Sequence, residues 1–403
     1  MVKPTIFWNF NLPVLSLILI SFLEMAGASP RLTSHCIAER LASDPTAIDI
    51  SKAQAQAAGL IYIKPEGPGL TRVMETKKGL DKKGKEVEIK IPHYFDLKGN
   101  EITHEAEIKR LNGLHIPPGY DDKSVWISPD PKSHIQATAL DPKGGKQYRY
   151  HPDWESTRSK SKFKRVTLFG EVLSDVRKDV NQNLAKKGVT KEKVLAVVTR
   201  LLDRSRIRIG NEVYAEENGT FGLTTLRKDQ ATVEGDLIHF DFIGKTSKKH
   251  DFPFRDKQVA QALSEMNQIP GENLMQYYDE ARIIQTITSA DINTYLKKIS
   301  HGRFSAKDFR TWAGSTLAVK YLAKRGPPKN EKDFKTAISE SADFVSKELR
   351  NEKATAKKNY IDPEIFEAYK DGRIEFHKVK IDPSIKNGEL EFEEELYLKI
   401  RKP

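Results

Sequence analysis

The hydrophobic period of this chain changes once, near Val166, and that change limits the folds open to it. From Gly59 to Pro152 short alternating apolar runs are broken by Gly, Pro, Asp and Asn, as in LIYIKPEGPG, VEIKIPHYFDLKGNEI and the stretch from Leu114 to Pro152. Strand side chains alternate between faces, so this pattern predicts short strands joined by turns. One helical insert, THEAEIKRLNGL, is expected within it. Beyond Val166 the apolar residues recur at three and four, and the runs end near glycine, as helices do. A β interruption, ATVEGDLIHFDFIGKTSKKHDFPF, turns at Glu234-Gly235 and again between Gly244 and Lys249. Helices then resume. One of them opens on an S-x-x-D capping box at Ser305 and Asp308, and another carries the apolar stripe Phe334, Ile338, Ala342, Val345 and Leu349.

The fold class expected is therefore α+β. A small β-rich N-terminal domain (59–155) precedes a mostly α-helical domain with a small antiparallel sheet (166–370). Between them DWESTRSKSKFKR shows no apolar face, which predicts a basic linker over 156–165. Residues 371–403 read as a charged tail and 30–58 as a segment without clear pattern. Residues 1–29 hold Lys3, the apolar run LPVLSLILISFL and the small-residue triplet AGA, the shape of a secretory leader, although twelve apolar residues are few for a membrane span. The single cysteine, Cys36, permits no intrachain disulfide and favours a reducing compartment. The leader-like stretch is therefore read as an extension from a start codon set too far upstream, with the protein cytoplasmic and without a membrane partner. The sequon at Asn218 matters only for an exported chain.

Charge narrows the partner. The formal net charge is +11. Between residues 131 and 165 nine bases face three acids, with Tyr148, Tyr150 and Trp154 interleaved. Cations pair with phosphate while rings stack on bases, so this mixture suits nucleic acid. Two apparent motifs fail. GKT at Gly244–Thr246 lacks the first glycine of a phosphate-binding loop, because position 239 is His239; HEAE at His104 lacks the second histidine of a zinc helix. No cofactor or metal is expected.

Near the C-terminus, Tyr360 stands in KKNYIDP. A phenol ionises near pH 10, so attack on a phosphodiester requires cations at the non-bridging oxygens and a proton for the leaving oxygen. Arginine's planar fork suits the first task and a lysine the second. Arg208 in SRIRIGN, Lys245 in DFIGKTSKK, Arg310 in KDFRTW and Asn351 in LRNEKAT could supply those groups.

These segments, in this order, resemble the type IB DNA topoisomerases of the short bacterial and poxvirus-like kind. YAEENGTFGLTTL and the Leu114–Pro152 stretch strengthen the likeness, which runs from about Gly59 to Glu367. The resemblance implies that Tyr360 attacks the scissile phosphate to form a 3′-phosphotyrosyl link, that Arg208 and Arg310 grip its oxygens, that Lys245 protonates the departing 5′ oxygen, and that Asn351 donates to a non-bridging oxygen. It implies relaxation of supercoiled duplex DNA without ATP or a required metal, by a monomer whose two lobes close as a clamp. It also places DNA contacts in one strand, with Gln147, Tyr148 and Tyr150 as candidates and Lys146 and Arg149 reaching phosphates. The chain departs from the family's pattern around Asn351, where Arg350 replaces the usual glycine and Glu352-Lys353 the usual Thr-Pro. Two alternatives stay open on the residues alone: a site-specific tyrosine recombinase, whose second arginine usually follows His-x-x where this chain has Lys307, and a catalytically impaired DNA-binding relative.

Overall fold

The structure is a computed structural model that describes residues 47–80, 84–302, 304–374 and 389–402. The leader-like segment and Cys36 lie outside the described residues. Helix α1 (Ala47–Ala57) leads into a long hairpin, β1 (Thr71–Leu80) against β2 (Glu86–Phe95), paired in register from Thr71↔Phe95 to Leu80↔Glu86. The expected insert is helix α2 (Glu105–Asn112). A meander follows: β3 (Trp126–Ile127), β4 (Ile135–Leu140) and β5 (Lys146–Tyr150), in that order and antiparallel. Leu70, Tyr94, Leu111, Val125, Ile127, Ala137 and Ala139 form the core of this module. Arg72 is buried against it, its Nη2 2.7 Å from Asp122 and its Nη1 donating to the Ile116 carbonyl at 2.7 Å, which fixes the loop ahead of β3.

The expected linker is not a linker. Helix α3 spans Pro152–Leu184 without a break, 33 residues or about 50 Å long. His151 caps it, accepting from the Asp153 N–H, and Pro152 sits in the first turn, where its missing N–H costs nothing. Residues 156–165 contain neither Gly nor Pro, and their Lys and Arg side chains are good helix formers. Their apolar face is sparse but present: Phe163 is buried within the stretch and Trp154 just before it. Trp154 packs with Ala55 and Leu60, so α1 docks on the start of α3.

The second half of α3 enters the main core beside α4 (Lys191–Arg204). After the short helix α5 (Glu212–Asn218) come β6 (Ala231–Glu234), β7 (Leu237–Gly244) and β8 (Lys248–Arg255), a three-stranded antiparallel sheet. Helix α6 (Lys257–Asn267), the small pair β9 (Gln276–Tyr278) and β10 (Ile284–Thr286), and α7 (Ser289–Ile299) follow. Helix α8 (Ala306–Arg325) runs through the centre with Phe309, Trp312, Leu317, Val319 and Leu322 buried. Its capping box forms as the spacing predicts, the Ser305 N–H and hydroxyl both donating to Asp308. In α9 (Glu331–Glu348) the apolar stripe faces this core. Helices α10 (Lys353–Asn359) and α11 (Pro363–Lys370) complete the run.

The expected charged tail also ends in structure. Helix α12 (Phe392–Arg401) buries Leu396, Tyr397 and Ile400 in the main core. Its Glu394 meets Arg177 of α3 at 2.8 Å, and Arg177 also meets Asp203 of α4 at 2.8 Å, with all three side chains under 10% exposed. Charge count alone hides such an element, because its carboxylates point inward to a buried cation. No helix among the described residues is long and apolar enough to cross a membrane.

Candidate active site

Tyr360 directly follows α10, its N–H closing the helix onto the Ala356 carbonyl at 3.0 Å. Its own carbonyl accepts from the Ser315 hydroxyl of α8 at 3.2 Å, and the same hydroxyl accepts from the Asp362 N–H at 3.2 Å. Asp362 in turn accepts from the Tyr397 hydroxyl of α12 at 2.8 Å. The backbone on both sides of the phenol is thus pinned to α8, most of whose residues are buried.

Arg310 lies one turn before this contact on α8. It is 4% exposed, and its guanidinium carbon sits 5.5 Å from the Tyr360 ring centroid. Its Nη2 donates to the Leu349 carbonyl at 2.7 Å and its Nη1 to the carbonyl of Arg206. Burial, then the nearby Arg208 charge, pulls its pKa down to about 10, which still leaves it cationic at neutral pH. Arg208 follows α4 in a loop whose residue Arg206 has φ 60. Its Nη2 donates to Asn351 Oδ1. That bond orients the Asn351 amide with its NH₂ away from Arg208, as a donor.

Asn351 itself sits after the end of α9. The N–H of Asn351 bonds the Ser346 carbonyl at 2.8 Å and that of Arg350 the Lys347 carbonyl at 3.1 Å, the double closure of a Schellman motif. The left-handed position of that motif belongs to Arg350, φ 50, and not to Asn351.

Burial alone would raise the Tyr360 phenol, but Arg310, Arg208 and Lys307 outweigh it and hold its pKa below the ordinary tyrosine value. Three buried donors at this place have no acceptor among the described residues: Arg208 Nη1, Arg310 Nε and Asn351 Nδ2. Buried donors are nearly always satisfied, and guanidinium forks pair with the oxygens of phosphate or carboxylate. The arrangement is built to receive an anion with several oxygens beside a phenol made more acidic.

Lys245 stands at the exposed tip of the β7–β8 hairpin, in a turn where Thr246 and Ser247 have φ 62 and 55. Its ammonium makes no ion pair or hydrogen bond among the described residues. The structure therefore brings Tyr360, Arg310, Arg208 and Asn351 together and holds Lys245 on a neighbouring projection. That projection is tied to the site, since Lys248 pairs with Glu352 and Phe252 lies under Arg350.

The N-terminal candidates divide. Tyr148 and Tyr150 lie on one face of β5, their rings stacked 5.9 Å apart and 11° from parallel, with Lys146 over Tyr148. Tyr148 is exposed, whereas Tyr150 is half-buried against the Trp154 cluster. Gln147 donates to Asp141 at 2.8 Å. Arg149 differs from expectation: on the opposite face, it donates to the carbonyls of Leu114 at 3.1 Å and His115 at 3.2 Å, bracing the loop after α2 and not reaching outward.

Four contributors escaped the sequence reading. Lys162 of α3 donates to the Asn359 carbonyl at 3.0 Å, immediately before the phenol. Gly314 lets α8 touch the Tyr360 backbone. His250 is buried, stacked on Phe242 with 4.5 Å between centroids, and burial followed by the charges of Arg350, Arg208 and Arg310 pulls its pKa down to about 3. Arg350 is the fourth. Only Arg350 leaves a trace in one dimension, as the departure beside Asn351, and the roles of all four depend on contacts made in the fold.

Comparison with known proteins gives the family. The family described as eukaryotic DNA topoisomerase I, catalytic core, covers residues 151–383, and that described as bacterial DNA topoisomerase IB, N-terminal domain, covers 93–141. A DNA topoisomerase 1B of Acanthamoeba polyphaga mimivirus is 29% identical over 302 residues, 73% of this chain and 89% of its own length. Vaccinia virus DNA topoisomerase 1B is 29% identical over 112 residues, 28% of this chain and 36% of the viral protein. DNA topoisomerase 1 of Mycosarcoma maydis is 32% identical over 111 residues, of which the chain spans only 11% of the fungal protein. The catalytic-core family accounts for more than half of the sequence, and the chain belongs to the type IB DNA topoisomerases.

Proposed function

We propose that this enzyme relaxes supercoiled duplex DNA by transient cleavage of one strand through a 3′-phosphotyrosyl intermediate at Tyr360. The observation that carries this reading is the convergence of three unsatisfied buried donors on an acidified phenol. In the forward step Tyr360 gives up its phenol proton to solvent, its oxygen bonds to phosphorus, and the bond from phosphorus to the 5′ oxygen breaks. Arg208 and Arg310 hold the non-bridging oxygens, Asn351 Nδ2 donates to one of them, and Lys245 gives a proton to the departing 5′ oxygen. Religation is the reverse, with the 5′ hydroxyl attacking and the phenolate leaving. One phosphodiester is exchanged for another, so neither step consumes ATP, and two fixed guanidiniums supply charge stabilisation that many phosphoryl-transfer enzymes take from magnesium. Between the steps the cut strand swivels. The protein acts as a monomer that wraps the duplex, with the Tyr148 face of β5 toward the DNA, in the cytoplasm where the chromosome lies.

The test is relaxation of a negatively supercoiled plasmid in excess EDTA without nucleotide. The unmodified protein is expected to relax it and Tyr360→Phe is not, and denaturing traps of the former should carry DNA joined to residue 360. Relaxation by the phenylalanine variant would remove Tyr360 from the chemistry.

A further inference from the structure

Arg350 has no part in the chemistry just described, yet the structure holds it in a demanding way. Its φ of 50 is one that glycine adopts freely and arginine only at a cost. Its guanidinium carbon lies 3.7 Å from the ring centroid of Phe252, on the second strand of the hairpin that carries Lys245. Its Nη1 donates at 3.4 Å to the carbonyl of Ser205, at the end of the helix that leads into Arg208. Its backbone presents Asn351, which accepts from Arg208. One side chain therefore spans the hairpin, the Arg208 loop and the Asn351 turn. A second tie between hairpin and turn, Lys248 with Glu352, joins side chains 42% and 68% exposed and is correspondingly weak.

We propose that Arg350 is a positioning residue: it locks the Lys245 hairpin onto the Arg208–Asn351 pair, so that the proton donor meets the same phosphate the other groups grip. The inference rests on the reading of Lys245 as the acid. A flat cation on an aromatic face holds distance and tilt together, which a flexible lysine or an absent side chain cannot do. The strained backbone is kept because the side chain bridges three parts of the site.

The variant Arg350→Gly separates this role from folding, since φ 50 suits glycine and the protein is expected to melt no lower than the parent. Single-turnover cleavage of a duplex with the ordinary 5′ oxygen leaving group is expected to slow by about 10- to 100-fold, the effect of a displaced catalytic group. With a 5′ bridging sulfur, whose departure needs no proton, the deficit should shrink to within about 3-fold. Arg350→Lys should fall between, and Phe252→Leu, which removes the ring from the other side, should show the same sulfur rescue. Lys245→Ala, measured alongside, sets the size of the rescue to be expected. Unchanged cleavage by Arg350→Gly, or equal slowing on both substrates, overturns the proposal. If Lys245→Ala itself shows no rescue while Tyr360 adducts still form, the assignment of the acid fails and the Arg350 role falls with it, leaving the nucleophile intact.

Discussion

Adding one methyl group to Gly314 should disable the enzyme more than it unfolds it. A Cβ there would lie 2.6 Å from the Tyr360 Cβ and 2.6 Å from the Tyr360 carbonyl oxygen. Carbon atoms rest about 3.5–4.0 Å apart, so one partner must retreat by roughly 1 Å. Helix α8 cannot, because Phe309, Trp312 and Leu317 anchor it on either side of Gly314. The segment that yields is Tyr360, half-buried at the end of a seven-residue helix. In stability the terms nearly offset: Gly→Ala within a helix gains about 1 kcal/mol, and overpacking costs about 1–3 kcal/mol, leaving a net loss of roughly 0–2 kcal/mol. In rate they do not, since a nucleophile displaced by about 1 Å loses on the order of 100-fold. The assay is single-turnover formation of the covalent adduct on a short duplex, with thermal melting as the control. A Gly314→Ala protein that cleaves at the parental rate and melts unchanged would show that α8 bends away, and the account of how Tyr360 is held would be wrong.

His250 should make the fold acid-sensitive. Its folded pKa is about 3 against an ordinary 6.5, so the unfolded chain binds a proton that the folded one refuses, and stability is lost as pH falls from about 6.5 toward 3. Urea titrations at about pH 7.5 and pH 5 should differ by about 2 kcal/mol from this group, and His250→Phe should remove that difference; an unaltered slope would mean that the imidazole is reached by water. Replacing Arg177 by leucine leaves Asp203 and Glu394 buried without their shared cation, which should cost about 3–5 kcal/mol in melting experiments. A loss below about 1 kcal/mol would mean that α12 detaches readily and its contacts contribute little.

The division into a strand-rich front and a helical body was legible in the sequence because the two periods, two and three-to-four, differ over long stretches. The capping box of α8 and the stripe on α9 were legible for the same local reasons. Residues 156–165 were not, since their one apolar residue, Phe163, cannot register as a face, while a lack of Gly and Pro gives no positive signal. At the site, residue types in a fixed order pointed to Tyr360, Arg208, Lys245, Arg310 and Asn351. What stayed hidden was how they are held: the left-handed turn at Arg350, the contact of Gly314 with Tyr360 and the Arg149 brace are all made across folded space. The charges flanking Asn351, which looked like departures from pattern, are contacts, Arg350 with Phe252 and Glu352 with Lys248.

The unbroken helix from Pro152 to Leu184 has a mechanical consequence. Its first turns carry Trp154, set edge-on to His134 with 4.7 Å between ring centres, while Glu155 pairs with Lys358 at 3.0 Å and Lys162 touches the carbonyl at 359. A stiff rod joined at one end to the front module and along its flank to the segment just before Tyr360 leaves no hinge between 156 and 165. In the clamp proposed above, parting the two modules to admit a duplex would happen ahead of Pro152 and undo the aromatic cluster around Trp154. On that proposal the strength of this latch, more than the slack of any tether, would set how often the enzyme gapes.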